Sequence, residues 1–167
     1  HEVVAARFGA VAGHEIAPDA GAFYMIFALF ALVGCDAGAY FAGRKWGRRK
    51  LAPQISPAKT VEGALGGIVG GTLNALICKA IFDVWWPDLS AFFPWVAALL
   101  FAVVLTVVGI IGDLVESLLK RDAQRKDAGS VLPGMGGFLD RIDSSLLGIP
   151  VMYYLLLSYT YLRLGSP

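Results

Sequence analysis

Five acidic residues stand where a largely apolar sequence gives no reason for them. Asp36 lies within GCDAGAY, Asp113 and Glu116 within GDLVES, and Asp140 and Asp143 within FLDRIDS. Asp113, Glu116 and Ser117 fall at i, i+3 and i+4, so on a helix they share one face, and Asp140 and Asp143 share a face by the same spacing. An acid inside a membrane helix costs about 3 kcal/mol unless it is paired or reaches water, so each is a functional candidate by default. Carboxylates converging from separate helices at one depth suit a hard divalent cation such as Mg²⁺, which takes oxygen ligands.

Cations surround these acids. The stretch KRDAQRKDAGSVLPGMGGFLDRIDS, residues 120–144, holds five basic and four acidic side chains. Lys120, Arg121, Arg125 and Lys126 suit phosphate oxygens. The turn Pro133-Gly134-Met135-Gly136-Gly137 is able to present backbone N–H groups to an anion, a weak signal when taken alone. A second phosphate candidate is SPAKTVEG, where Ser56, Lys59, Thr60 and Glu62 crowd the start of an apolar run. Hydroxyls and a lysine at a helix N-terminus favour an anion there. For Arg44, Lys45, Arg48, Arg49 and Lys50 the simpler expectation is a solvated or headgroup-binding loop. Metal, cations and backbone donors together are the kit of phosphoryl or nucleotidyl transfer.

What must position these groups is a set of membrane helices. Of 167 residues, 57% are hydrophobic, above the 45–50% usual in soluble proteins, and the mean hydropathy is +0.65. Leu89–Gly112 is 24 residues without a charge and Ser144–Leu162 is 19 more. Two further runs are interrupted only by Asp36 and by Lys79. A hydrocarbon core of about 30 Å takes roughly 20 helical residues. The expectation is therefore an all-α integral membrane protein, a polytopic helix bundle with four transmembrane helices at about 20–43, 61–82, 94–119 and 144–163. A soluble bundle is excluded because four such helices leave too little polar surface to cover them.

Eleven of the fourteen Lys and Arg residues lie in Arg44–Lys59 and Lys120–Arg141, whereas Asp83–Phe93 has two Asp and no base. If the helices alternate, both basic segments face the cytoplasm, as expected for an inner membrane, and Trp85, Trp86, Trp95, Phe92 and Phe93 form an aromatic belt opposite. Cys35 and Cys78 sit in apolar runs and read as buried hydrophobes. Gly63, Gly66, Gly67, Gly70 and Gly71 give one helix a small-residue face for close packing within the fold or in a homodimer. Pro53 and Pro57 keep the first basic loop from continuing as helix, and Pro150 predicts a kink in the last span. Residues 1–19 read as an N-terminal loop or an arbitrary start with further helices upstream, and 20–167 as one membrane-embedded domain.

The ordered motifs carry a resemblance. SLLKRDAQRKDAGSVLPGMGGFLDRID, residues 117–143, resembles the signature of phosphatidate cytidylyltransferases, also called CDP-diglyceride synthases. Ser117, Lys120, Arg121, Lys126, Asp127, Gly129, Leu132, Pro133, Gly134, Gly136, Gly137, Asp140, Arg141 and Asp143 match as they stand. GCDAGAYFAGRKWGRRKLAPQISPAKTVEG, residues 34–63, and GDLVES are similar to the family's other blocks. Met135 departs from it, standing where the family has His, and the chain resembles only the C-terminal, catalytic half.

The resemblance implies transfer of a cytidylyl group from CTP to phosphatidic acid, giving CDP-diacylglycerol and pyrophosphate with Mg²⁺, a second cation being a further option. It implies that Asp113, Asp140 and Asp143 hold metal, with Asp36 and Asp127 as further ligands or groups behind them. Lys120, Arg121, Lys126 and Arg141 would contact CTP or lipid phosphates, together with Ser56, Lys59, Thr60, Gly136 and Gly137. The partners expected are CTP, phosphatidic acid and the bilayer, with no nucleic acid. Two other readings stay open at this point: an ion or metabolite transporter with intramembrane carboxylates, and an inactive structural fragment.

Overall fold

The computed structural model describes residues 20–91, 93–122 and 139–164. In chain order these form α1 (Ala20–Trp46), a hairpin of β1 (Lys50–Ala52) and β2 (Ser56–Thr60), α2 (Val61–Trp85), the single turn α3 (Pro87–Ser90), α4 (Trp95–Asp122) and α5 (Leu139–Leu164). The four long helices are each long and apolar enough to cross a membrane. The chain is an all-α polytopic integral membrane protein, with the hairpin as its one piece of sheet among the described residues. In a bilayer every backbone N–H and C=O must be satisfied within its own segment, which leaves helices as the spanning form for a chain of this pattern.

The helices run past their apolar windows. The 28 residues of α4 extend about 42 Å at 1.5 Å per residue, well beyond a 30 Å hydrocarbon core. Asp113 therefore lies about 27 Å from Trp95, at the far boundary of the apolar layer. At the other chain segment, α5 begins at Leu139 instead of 144, so Asp140 and Asp143 belong to its first two turns. An acidic residue in the first turn of a helix is favoured by the partial positive charge of the helix N-terminus. Residues 1–19, and with them the proposed N-terminal loop, lie outside the described residues.

The pairing of α1 with α2 is set by glycine. A Cβ on Gly38 would lie 2.5 Å from the Gly66 carbonyl oxygen, one on Gly70 3.0 Å from that of Gly34, and one on Gly67 3.0 Å from that of Cys35. The small-residue face of α2 is thus taken up inside the fold by α1, where backbone meets backbone. Asn74 Nδ2 donates to the Phe30 carbonyl at 2.7 Å and strengthens the same contact. Cys35 and Cys78 are free and buried, as their apolar surroundings imply.

At the end of the bundle remote from the hairpin, aromatic rings fill the core. Phe93 is fully buried and lies edge-on to Tyr24, Phe27 and Tyr159. This corrects its expected place in an interfacial belt: with Pro94 starting the next helix, the chain turns inward at Phe93 and drops the ring between α1, α4 and α5. Trp85, Trp86 and Trp95 are exposed at that end, as the belt requires, and Phe92 lies outside the described residues. Lys79, the one charge in the second apolar run, is 3% exposed. It is neutralised by Asp83, hydrogen-bonded to the Ser90 carbonyl at 3.4 Å and placed 5.4 Å from the centre of the Trp95 ring.

Gly38→Leu is expected to weaken the fold by about 1–3 kcal/mol through overpacking. Gly21→Ala, where an added Cβ meets nothing within 4 Å, is expected to be neutral or slightly stabilising. Unfolding by titration of a denaturing detergent into mild-detergent micelles, followed by circular dichroism, compares the two.

Candidate active site

The connection from α1 to α2 does not wander. Pro53 follows Ala52 in a turn closed by Ile55 N–H donating to the Ala52 carbonyl at 3.2 Å, the place where proline's fixed φ favours a turn. The strands that flank it pair antiparallel, with a register shift between Lys50 and Ala52. Thr60 then caps α2, its Oγ1 accepting from Gly63 N–H at 3.1 Å, the usual duty of a hydroxyl at that position. Glu62, in the first turn of α2, accepts the N–H groups of Arg48 at 3.0 Å and Arg49 at 3.1 Å. Val61 N–H donates to the Arg49 carbonyl at 2.9 Å. These bonds fold the basic segment back onto the start of α2 and fix the direction of β2.

The consequence is that Lys59 reaches across to α4. Its Nζ lies 2.6 Å from Asp113 Oδ2, with the two side chains 22% and 34% exposed. The pair stands beside a cavity of about 700 Å³ whose walls come from α1 (Asp36, Tyr40, Arg44), the hairpin (Leu51, Lys59, Thr60) and α4 (Ile110, Asp113). Asp36, Tyr40 and Arg44 are spaced i, i+4, i+8 on α1, which carries all three along one face. Residues from separate elements, far apart in sequence, therefore face one space at the polar end of the bundle.

The expected site residues do not all arrive there. Asp36, Lys59, Thr60 and Asp113 line the cavity, whereas Ser56, at the other end of β2, does not. Lys120 pairs with the buried Glu116 at 3.0 Å one turn back along α4. Arg121 donates from Nε to the Ile55 carbonyl at 3.2 Å and so braces the hairpin turn against the end of α4. Both bases stand at the cavity's end of the bundle without lining it. Lys126, Asp127, Met135, Gly136 and Gly137 lie outside the described residues, as do the side chains of Asp140, Arg141 and Asp143.

The donor chemistry fits a cation. Two carboxylates, Asp36 and Asp113, open onto the same space, and Mg²⁺ is commonly held by one or two carboxylates while the remaining positions go to water and substrate phosphates. An ionised carboxylate has lone pairs enough to accept both Lys59 and a metal. Among the described residues no three His, Cys, Asp or Glu side chains cluster as a ready cage.

The model of the cytidylyltransferase family matches residues 3–159. The chain belongs to that family. It is 46% identical over 136 residues to a phosphatidate cytidylyltransferase of Bacillus subtilis, covering 81% of this chain and 48% of the relative. The phosphatidate cytidylyltransferase of Pseudomonas aeruginosa is 44% identical over 133 residues, 79% of this chain and 47% of its own length. That of Haemophilus influenzae is 37% identical over 138 residues, 82% of this chain and 46% of its own. The chain spans about half the length of these relatives.

Sequence reasoning passes over Tyr40, and it reads Arg44 and Glu62 for duties other than those the structure gives them. Arg44 was grouped with a general basic loop, and its i+4 spacing from Tyr40 and i+8 from Asp36 was the available sign that it belongs to the cavity face. For Glu62 the sign is its place as the second residue of the helix that Thr60 caps. Glu62→Gln removes the charge that strengthens two backbone hydrogen bonds. The expected result is faster amide hydrogen exchange at Arg48 and Arg49, with exchange at Trp86, at the opposite end of α2, unchanged.

Proposed function

We propose that this chain carries the active site of a phosphatidate cytidylyltransferase, transferring the cytidylyl group of CTP to phosphatidic acid with release of pyrophosphate. The observation that supports it most is the single cavity onto which Asp36, Lys59, Asp113 and Arg44 open from three separate elements. Its position at the membrane boundary suits a reaction between a soluble nucleotide and a lipid. The names of the three relatives, at 37–46% identity, point the same way.

The chemistry asks little of a general base. A phosphatidate oxygen is already anionic near neutral pH and attacks the α-phosphorus of CTP. A new P–O bond forms as the bond to the bridging oxygen of the leaving pyrophosphate breaks. What opposes the step is repulsion between an anionic nucleophile and a polyanionic triphosphate. Lys59 is held at the cavity wall by Asp113, where an ammonium lowers that repulsion and stabilises charge developing on the leaving group. Thr60 keeps β2 joined to α2 so that Lys59 stays in register. Mg²⁺, when held by Asp36 and Asp113 together with carboxylates of α5, would screen the phosphates further. Met135, a thioether with no titratable proton, is compatible with a reaction whose nucleophile arrives deprotonated.

We further infer that the cavity faces the cytoplasm in a bacterial inner membrane. Arg44 and Lys45 end α1, and Lys120 and Arg121 end α4, both at the cavity end, and the positive-inside rule supports this orientation.

Incubating the purified protein in detergent with radiolabelled CTP, phosphatidic acid and Mg²⁺ is expected to give CDP-diacylglycerol only when both substrates are present. Asp113→Asn and chelation of divalent cations with EDTA should each lower turnover by at least about a hundredfold. Product independent of phosphatidic acid would overturn the assignment. Near-normal turnover in Asp113→Asn would remove that residue from the site.

A further inference from the structure

The cavity is polarised along α1. One end holds the carboxylates Asp36 and Asp113, the latter already engaged by Lys59. The other end holds Arg44, two turns beyond Asp36 and about 12 Å along the helix axis at 1.5 Å per residue. Arg44 Nη1 donates to Tyr40 Oη at 3.0 Å, which holds the guanidinium on the cavity face of α1. The ion pairs formed among the described residues join Lys59 to Asp113, Lys79 to Asp83 and Lys120 to Glu116, and Arg44 takes part in none of them. A cavity-lining arginine outside the ion pairs of the described residues has planar donors to offer an arriving anion, and guanidinium forks match phosphate oxygens.

Two anions must enter this site under the cytidylyl-transfer reading, and the two ends of the cavity suit them differently. A metal-bearing triphosphate needs carboxylates to hold its cation, and those are at the Asp36 end. A lipid phosphomonoester brings no metal and needs cationic donors near the headgroups. Around Arg44 the exposed side chains are Tyr40, Phe41 and Trp46, with Lys45 Nζ 4.8 Å from the centre of the Trp46 ring. Aromatic rings with interleaved bases at a helix end are the pattern of a segment that lies at the headgroup level of a bilayer.

We propose that Arg44, oriented by Tyr40, is the specificity-determining residue for the lipid substrate: it takes the phosphomonoester at the headgroup-level end of the cavity, leaving the carboxylate end to the nucleotide. This rests on the cytidylyl-transfer reading and adds to it an assignment of which substrate enters where. Tyr40 acts through Arg44 and is a positioning residue.

The test measures lipid binding without nucleotide, so that it reads independently of turnover. Calorimetric titration of the protein in detergent micelles uses three probes: dioctanoyl phosphatidic acid, dioctanoyl phosphatidylglycerol and glycerol 3-phosphate. The expected order is phosphatidic acid well ahead of the other two, with Arg44→Gln weakening phosphatidic acid binding about 10- to 100-fold, the range for loss of a charged hydrogen-bonding partner. Tyr40→Phe, which keeps the ring and loses only the hydroxyl, should weaken it a few-fold. In steady-state assays both substitutions should raise KM for phosphatidic acid while KM for CTP stays within about twofold. Unchanged lipid binding in Arg44→Gln overturns the proposal, as does equal binding of the phosphodiester lipid, which would mean general charge attraction. Glycerol 3-phosphate binding as tightly as the lipid overturns the lipid assignment. If Arg44→Gln does not fold, Tyr40→Phe decides: a KM rise for CTP alone, or no change for either substrate, rejects the inference. Wild-type protein that binds phosphatidic acid through Arg44 yet forms no CDP-diacylglycerol would instead count against the reaction and leave the binding site standing.

Discussion

The close approach of α1 to α2 is the constraint from which the site follows. Gly34, Cys35 and Gly38 on one helix meet Gly66, Gly67 and Gly70 on the other with almost no space for side chains between them. Lipid tails are as apolar as leucine, so helices in a bilayer gain little from hiding hydrophobic surface and associate through such backbone packing instead. Once the axes are this near, the segment joining Trp46 to Val61 must reverse direction within a short distance. It does so as a hairpin whose ends are tied by Glu62 and Thr60. The hairpin in turn delivers Lys59 to Asp113. A substitution deep in the α1–α2 contact would therefore act on the site through the angle of the hairpin, with no direct contact to substrate.

Charges in this bundle are sorted by position. At the remote end, Lys79 and Asp83 satisfy each other beneath the α3 turn, and the pair closes off a loop among aromatic rings. Along α4, Glu116 is buried and matched by Lys120 one turn later, which makes both part of the framework and leaves less of Lys120 for phosphate. At the cavity both members of the ion pair are left partly open to solvent, with Lys59 and Asp113 at 22% and 34% exposure. Water and substrate reach a pair of that kind, and breaking it does not strand a charge in hydrocarbon. A fully buried pair would have held too tightly to exchange one partner for a ligand, since removing one partner of a buried pair costs several kcal/mol.

Much of this was legible in the sequence because membrane constraints act on composition directly. Four spans were visible as charge-free or nearly charge-free runs, and the depth of Asp113 followed from its place near the end of the third. What the sequence concealed was tertiary in origin. Nothing local marks Phe93 as core: an aromatic next to proline at a helix start fits an interfacial belt equally well, and only the rings of α1, α4 and α5 around it decide. Nothing local announces that Arg121 Nε supports a carbonyl of the hairpin turn, a partner 66 residues away. Prolines at 53 and 57 signalled the end of a helix without showing that two short strands would pair across them. Arg44 was hidden among neighbouring bases, because charge counting treats as equal residues that a helix points in different directions.

The location of the site at the hydrocarbon boundary also bears on why an apolar chain would build its chemistry from so few polar groups. Ionic interactions strengthen as the local dielectric falls, by a factor of several between bulk water and the surface of a protein. At that boundary one ammonium and two carboxylates go further than they would on a soluble enzyme, provided that each remains within reach of water when the substrate is absent. The face of α1 that carries Asp36, Tyr40 and Arg44 satisfies this, since it runs from the edge of the apolar layer out to the headgroups. A helix crossing that boundary offers acids at one depth and bases at another along a single face. Under the cytidylyl-transfer reading, two substrates of different polarity would thereby meet at neighbouring positions through geometry that the bilayer itself imposes.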